Sequence, residues 1–200
     1  MMESTSQERH PNAVSKRTAT WLVAAIVLSA VGTFGSVFLS IGLGLKACPL
    51  CFYQRSFVMA ALAVLVLGGY LERSRPGLIC WLSVPLVWAG LGVAAFHEYL
   101  VLTGVLDCPP ALFGIGSAPA QSLVVFIALA FAATCGAWCG RQESPRQRAC
   151  TLFAAVMFGA VLAGACVKSA PPLPPVPTAA YDPVKQPLDT CRRPFVAPKN

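Results

Sequence analysis

Five long apolar blocks, separated by short joints rich in proline, glycine or charge, organise this chain. They run from about Thr20 to Leu45, Phe52 to Leu71, Leu78 to Leu102, Ser122 to Cys139 and Cys150 to Val167. Each is near the roughly 20 residues that carry a helix across a bilayer. In lipid the backbone must satisfy its own hydrogen bonds, so such blocks are helices or strands of a closed barrel. None alternates between apolar and polar positions, which argues against a barrel. The pattern predicts an all-α integral membrane protein, a four-helix transmembrane bundle plus a fifth C-terminal span. The first apolar stretch runs from Trp21 past Ile41. That is longer than the apolar core of a secretory signal, so it is read as a retained span.

Composition sharpens this reading. Hydrophobic residues make up 56% of the 200 and charged residues only 12%, against about a quarter charged in soluble domains. The net charge of +7 matters through its placement. Arg9, Lys16 and Arg17 precede span one, Arg73 and Arg75 join spans two and three, and Arg141, Arg146 and Arg148 join spans four and five. Short cytoplasmic loops collect Lys and Arg. The N-terminus is therefore expected inside, and Cys48, Cys51, Cys108 and the tail with Cys191 outside. The basic charge reads as a topology signal, not as a nucleic-acid surface. Residues 1–19 form a cytoplasmic segment in this scheme, 20–139 the four-span bundle, 140–149 a cytoplasmic loop, 150–167 the fifth span and 168–200 a Pro-rich outer tail. From Ala170 to Thr178 that tail is expected to be an extended, semi-stiff spacer with little packed structure.

The nine cysteines sort by side. Cys80, Cys135, Cys139 and Cys150 fall at inner span ends and read as small packing residues. A metal site from Cys135, Cys139 and Cys150 lacks a tight pair motif. Outside, Cys48-Pro49-Leu50-Cys51 is a C-x-x-C pair at the start of span two. The helix N-terminus favours a thiolate at Cys51, and Arg55 follows one turn later on the same face. A cation at the membrane edge is costly without a partner or a task. Stabilising a thiolate or a reduced quinone oxygen is a task that fits. Haem attachment would need His where Phe52 stands. Zinc would need two more close ligands, and none is near in the sequence. No metal is therefore expected. A purely structural disulfide stays open, although it would leave Arg55 unexplained.

Cys48-Pro49-Leu50-Cys51-Phe52-Tyr53-Gln54-Arg55 closely resembles the signature of the disulfide bond formation protein B family, DsbB and its BdbC relatives. Phe96-His97-Glu98, followed by Cys108-Pro109, is a second and weaker match. The resemblance covers about Thr20 to Cys139. It implies a four-helix bundle that reoxidises a periplasmic thioredoxin-fold oxidase, DsbA-like, and delivers electrons to a quinone (ubiquinone or menaquinone) in a bacterial inner membrane. Vitamin K epoxide reductases share the architecture, but their loop cysteines precede the C-x-x-C. By position the resemblance implies that Cys51 meets the quinone, Cys48 exchanges with a second pair, Arg55 and His97 lie by the quinone, and Cys108 bonds the partner. His97 also admits a plain reading as a hydrogen-bonded interfacial histidine. Gln54 and Tyr53 read as packing or hydrogen-bonding residues, and Glu98 as an interfacial charge.

The chain departs from that family in its second outer loop. About Thr103 to Gln121 holds Cys108 alone, whereas the family places both cysteines of the second pair there. A fifth span returns Cys191 to the same side, and we expect Cys108 and Cys191 to form the second pair. The spacer of about 20 residues, at ~3 Å each, does not limit reach. Leu162-Ala163-Gly164-Ala165-Cys166 is also similar to a lipobox, with Ala163 and Gly164 poor matches to its order. A tightly packed span end explains those small residues as well. The resulting expectation is a relay of thiol–disulfide exchanges from the partner through Cys108, Cys191, Cys48 and Cys51 to the quinone. A non-enzymatic membrane anchor or assembly protein with structural outer disulfides, and a metal-handling membrane protein, are the competing readings. Arg55 beside the pair opposes binding of a metal cation.

Overall fold

The computed structural model describes residues 10–140, 144–173, 175–177 and 188–195. Five helices account for most of them: α1 His10–Ile41, α2 Pro49–Leu71, α3 Pro76–Leu102, α4 Ala118–Cys139 and α5 Pro145–Ser169. All five are long and apolar enough to cross a membrane. The protein is an all-α, multi-pass membrane bundle. Among the described residues there is no strand, and two isolated bridges occur, Asp107 with Arg192 and Pro110 with Ser117.

Helix α1 begins at His10, ten residues before the expected Thr20, so it takes in part of the expected N-terminal segment; the other helix ends differ from the apolar blocks by a few residues, for local reasons. Hydropathy marks where lipid begins, whereas caps mark where the helix begins. Helices α2, α3, α4 and α5 all carry Pro at N1 or N2, where its missing N–H costs nothing and its fixed φ suits a first turn. Ser117 and Ser144 cap α4 and α5 by accepting from Ala120 N and Gln147 N. Helix α1 stops at Ile41, short of the expected Leu45. Gly42 and Leu43 N–H both turn back to Phe38 O, and Gly44 follows at φ +67°, a conformation that glycine adopts freely.

Packing centres on α3, which lies against α4, α5 and α2 and touches α1. Helix α5 leans almost wholly on α3 and barely meets α4. Lipid supplies no hydrophobic drive between helices, so close van der Waals fit must hold them. Gly90 of α3 provides one such fit, because the Phe126 ring of α4 occupies the space a Cβ would need. At the end of the bundle away from Cys48, Gly77 and Gly140 bring two backbones together. On α1, Val23, Val27, Val31, Phe34, Phe38 and Ile41 are exposed at three- and four-residue spacing. That stripe is the lipid face.

Two apolar clusters divide the interior. One, around Leu65, Val84, Val87, Phe126 and Leu129, fills most of the bundle. The other sits at the end where α2 begins and α3 ends, and gathers Cys48, Leu50, Val93, Leu100, Leu106, Ala163 and Cys191. Ala170 and Leu173 pack against this second cluster, so the start of the tail is more packed than its composition suggested. Thr178 at the end of the Pro-rich spacer, and Arg9 and Arg141 of the charge pattern, lie outside the described residues.

Candidate active site

The second cluster brings four cysteines and a histidine together from four separate stretches of chain. Cys48 is the N-cap of α2, and its sulfur accepts the Cys51 N–H at 3.3 Å. The helix end therefore acts directly on Cys48, one turn earlier than the sequence reading placed it. Cys48 and Cys51 are unbonded, with sulfurs 2.9 Å apart in a shared hydrogen bond. The Cys48 thiol is held far below its ordinary value, chiefly by that bond to Cys51, with burial opposing and His97 adding to the effect.

Cys108 and Cys191 are joined by a disulfide across a sequence separation of 83 residues. The loop that presents Cys108 is fixed at several points. Helix α3 closes with Val105 and Leu106 N–H both bonded to Leu100 O, around Gly104 at φ +69°. Gln121 then pins the loop by donating to Leu112 O and Ile115 O. Glu98 accepts from Ser117 Oγ, which gives that charge a local partner. The tail segment carrying Cys191 docks through reciprocal hydrogen bonds between Asp107 and Arg192. Lys46 N–H also donates to Asp189 O, and the Lys46 and Asp189 side chains pair at 2.8 Å.

His97 of α3 lies at the hub, fully buried. Its Nε2 is 3.5 Å from Cys191 Sγ, 3.6 Å from Cys108 Sγ and 3.8 Å from Cys48 Sγ. Its Nδ1 is 4.0 Å from Cys51 Sγ and 3.1 Å from Gln54 Nε2. The sequence could not anticipate that two cysteine pairs, Cys48 with Cys51 and Cys108 with Cys191, meet on one imidazole. It also hid spatial neighbours of the C-x-x-C pair: donor atoms of Cys48, Cys51, His97 and Cys191 lie within 4.8 Å of one another. The view that no further ligand type is near that pair is corrected to this extent, although the Cys191 sulfur is already committed to Cys108. Cys135, Cys139 and Cys150 form no such group among the described residues. Cys80 is buried, and Cys166 lies within the unbroken helix α5.

Beside the hub is a cavity of about 560 Å³ between α1, α2, α4 and the outer loop. Val31, Leu39, Val58, Leu112, Val125 and Phe126 supply apolar wall, and Cys51, Gln54, Arg55 and Cys191 also line it. Arg55 is fastened to α1: Nε donates to Ser36 Oγ at 2.7 Å, and Nη2 to Ser36 O at 2.9 Å and Ser40 Oγ at 2.6 Å. Ser36 and Ser40 were missed by the sequence reading, although two serines at i, i+4 in an apolar span are a legible signal. His97 does not line the cavity. It faces the sulfurs, with Gln54 between it and Ser122.

The DsbB family model, described as disulfide bond formation protein DsbB, matches residues 16–114. Over this stretch the chain is similar to the DsbB family. This match and the relatives below support a disulfide-forming membrane protein. The DsbB match includes Cys48, Cys51, Arg55, His97 and Cys108, and ends before α4, α5 and Cys191. A protein named "Probable disulfide formation protein" from Chlamydia trachomatis serovar D is 29% identical over 119 residues, 54% of this chain and 86% of the relative. One of the same name from Metapseudomonas resinovorans is 28% identical over 127 residues, 56% of this chain and 81% of the relative. No solved structure matches the chain significantly.

Proposed function

We propose that this protein is a thiol:quinone oxidoreductase of the bacterial inner membrane, with its cysteine hub on the periplasmic side. It reoxidises a thioredoxin-fold, DsbA-like dithiol oxidase. The observation that carries the proposal is the meeting of two cysteine pairs on His97 beside a cavity lined by Cys51 and Arg55. The cavity is within the few hundred to a thousand Å³ usual for small-molecule sites. Its walls are mostly apolar, and it holds one fixed guanidinium. That donor set fits a quinone head group, an apolar ring whose oxygens gain negative charge on reduction. When bound, a quinone supplies an acceptor for two electrons and two protons.

The protein's own residues do the rest. A reduced partner thiolate attacks Cys108 and breaks its bond to Cys191. The freed Cys191 lies within 4.8 Å of Cys48 and opens the Cys48–Cys51 disulfide when that pair is oxidised. The partner's second thiolate displaces Cys108 from the mixed disulfide, and the partner leaves oxidised; Cys108 thiolate then attacks Cys191 in its bond to Cys48, which restores the Cys108–Cys191 disulfide and leaves Cys48 and Cys51 reduced. The described arrangement, with Cys108–Cys191 bonded and Cys48 and Cys51 free, has the form of that product. Arg55, locked to Ser36 and Ser40, presents a positive charge without reorganisation, the most effective way to stabilise developing negative charge.

The test is quinone reduction by the purified protein given a reduced thioredoxin-like oxidase. The expected result is turnover in the native chain, its loss in Cys51→Ser, and a strong decrease in Cys191→Ser. Absence of turnover by intact protein with a competent partner would favour a structural anchor role.

A further inference from the structure

Gln54 and Ser122 fix which nitrogen of His97 carries its proton. Ser122 Oγ donates to Gln54 Oε1 at 2.7 Å. That fastens the amide oxygen and turns the NH2 towards His97, with Gln54 Nε2 at 3.1 Å from Nδ1. An amide nitrogen only donates, so Nδ1 must be the acceptor and bare of hydrogen. A second observation gives the same answer from the other side of the ring. Nε2 faces Cys108 and Cys191 at 3.6 and 3.5 Å. These sulfurs belong to a disulfide, have no hydrogen to give, and can only accept.

We infer that Gln54 is a positioning residue that holds His97 as a neutral imidazole with its N–H aimed at the sulfurs of both pairs. His97 then acts as a fixed hydrogen-bond donor to whichever sulfur carries charge, and not as an acid or base. This consequence rests on the exchange reading above, whereas the tautomer does not. In the exchange, Cys191 thiolate attacks Cys48 Sγ. The Cys48–Cys191 bond forms, the Cys48–Cys51 bond breaks, and the electron pair leaves on Cys51. Cys108 thiolate then attacks Cys191 Sγ, the Cys108–Cys191 bond forms, and the pair leaves on Cys48. One disulfide is lost and one gained, and two protons pass from the outer dithiol to the inner one. His97 keeps its own proton throughout. Its Nε2 lies within 3.8 Å of the attacking and leaving sulfurs of the second step.

The chain has two histidines, so His10→Gln leaves His97 as the one imidazole in the spectrum. Nitrogen NMR of histidine-labelled full-length protein with that substitution should show the Nε2–H tautomer with the outer pair oxidised. This readout needs neither quinone nor partner. Ser122→Ala, which frees the amide to turn, should give a mixture of tautomers. Gln54→Met should slow internal exchange about 10- to 100-fold, the loss of one oriented bond to a charged sulfur. Exchange would be followed by quenched alkylation. Gln54→Glu, an acceptor in place of a donor, should draw a proton to Nδ1, seen as a changed tautomer in the nitrogen spectrum, and alter the shape of the pH profile of exchange relative to the native chain. An Nδ1–H or doubly protonated ring in the protein with Gln54 and Ser122 intact overturns the inference. So does a wild-type tautomer and exchange rate in Gln54→Met. A correct tautomer in a chain without oxidoreductase activity would sink the function and leave the inference standing.

Discussion

Cys191→Ser should release the tail from the bundle. Among the described residues, three backbone hydrogen bonds join residues 188–195 to the bundle, Asp107 and Arg192 reciprocally and Lys46 to Asp189. At a net ~1 kcal/mol each they contribute about 3 kcal/mol. Burial of the Cys191 side chain adds about 1 kcal/mol. The Lys46–Asp189 ion pair is solvent-exposed and adds little. Against this, ordering eight residues of backbone costs about 8 kcal/mol even at the low end of the usual range. The disulfide closes the balance: a cross-link over a separation of 83 residues removes about 4–5 kcal/mol of chain entropy from the undocked state. Without it the deficit is about 4 kcal/mol, and fewer than about one molecule in a hundred keeps the segment docked. Amide hydrogen exchange read by mass spectrometry at Asp107 and Arg192 measures this directly. Exchange should approach the unprotected rate in Cys191→Ser, while the amides of α3 keep their protection. Retained protection at Arg192 in the variant would show that non-covalent docking suffices and would refute the balance.

Ser36→Ala combined with Ser40→Ala removes two of the three acceptors of Arg55. We expect a stability loss of about 2–5 kcal/mol in denaturant unfolding and a raised KM for quinone with kcat little changed; an unchanged KM would refute the role given to the guanidinium. Gly90→Val forces a side chain into the Phe126 ring. It should destabilise the bundle by about 1–3 kcal/mol or more, with partial recovery when Phe126 is also made Leu. Cys48, whose value is lowered, stays ionised as pH falls below the ordinary thiol range of about 8.5. Its stabilising effect is thus complete above that range and fades only as pH drops through the lowered value. Alkylation of Cys48 in reduced protein, followed by mass spectrometry, should hold its rate through neutral pH, and a fall-off centred near the ordinary thiol value would contradict this.

Much of the architecture was legible because bilayer thickness imposes a length that hydropathy reports directly. The helix starts were less so, since Pro49, Pro76 and Pro145 end the loops chemically while remaining outside the apolar runs. Cys48, Cys51, Arg55 and Cys108 stood out through a contiguous motif and a loop. What joins them did not: His97 meets partners 46, 49 and 94 positions away. No spacing rule brings such partners together before the helices are packed. Gln54 read as a local hydrogen-bonding residue because its two partners, His97 and Ser122, come from α3 and α4.

The second pair also dictates an order of biogenesis. Cys108 leaves the ribosome with Cys48 and Cys51 already made, whereas Cys191 follows only after α4 and α5. At about 5–20 residues per second, the 83-residue separation leaves Cys108 without its partner for about 4–17 s. In that interval the nearest available sulfurs are the inner pair, so a wrong bond between Cys108 and Cys48 or Cys51 is the natural early error. Arrival of Cys191 on the far side of two completed helices corrects it. The mature outer disulfide therefore certifies that the last span has been inserted, and truncation anywhere in α5 should leave molecules trapped in the wrong pairing.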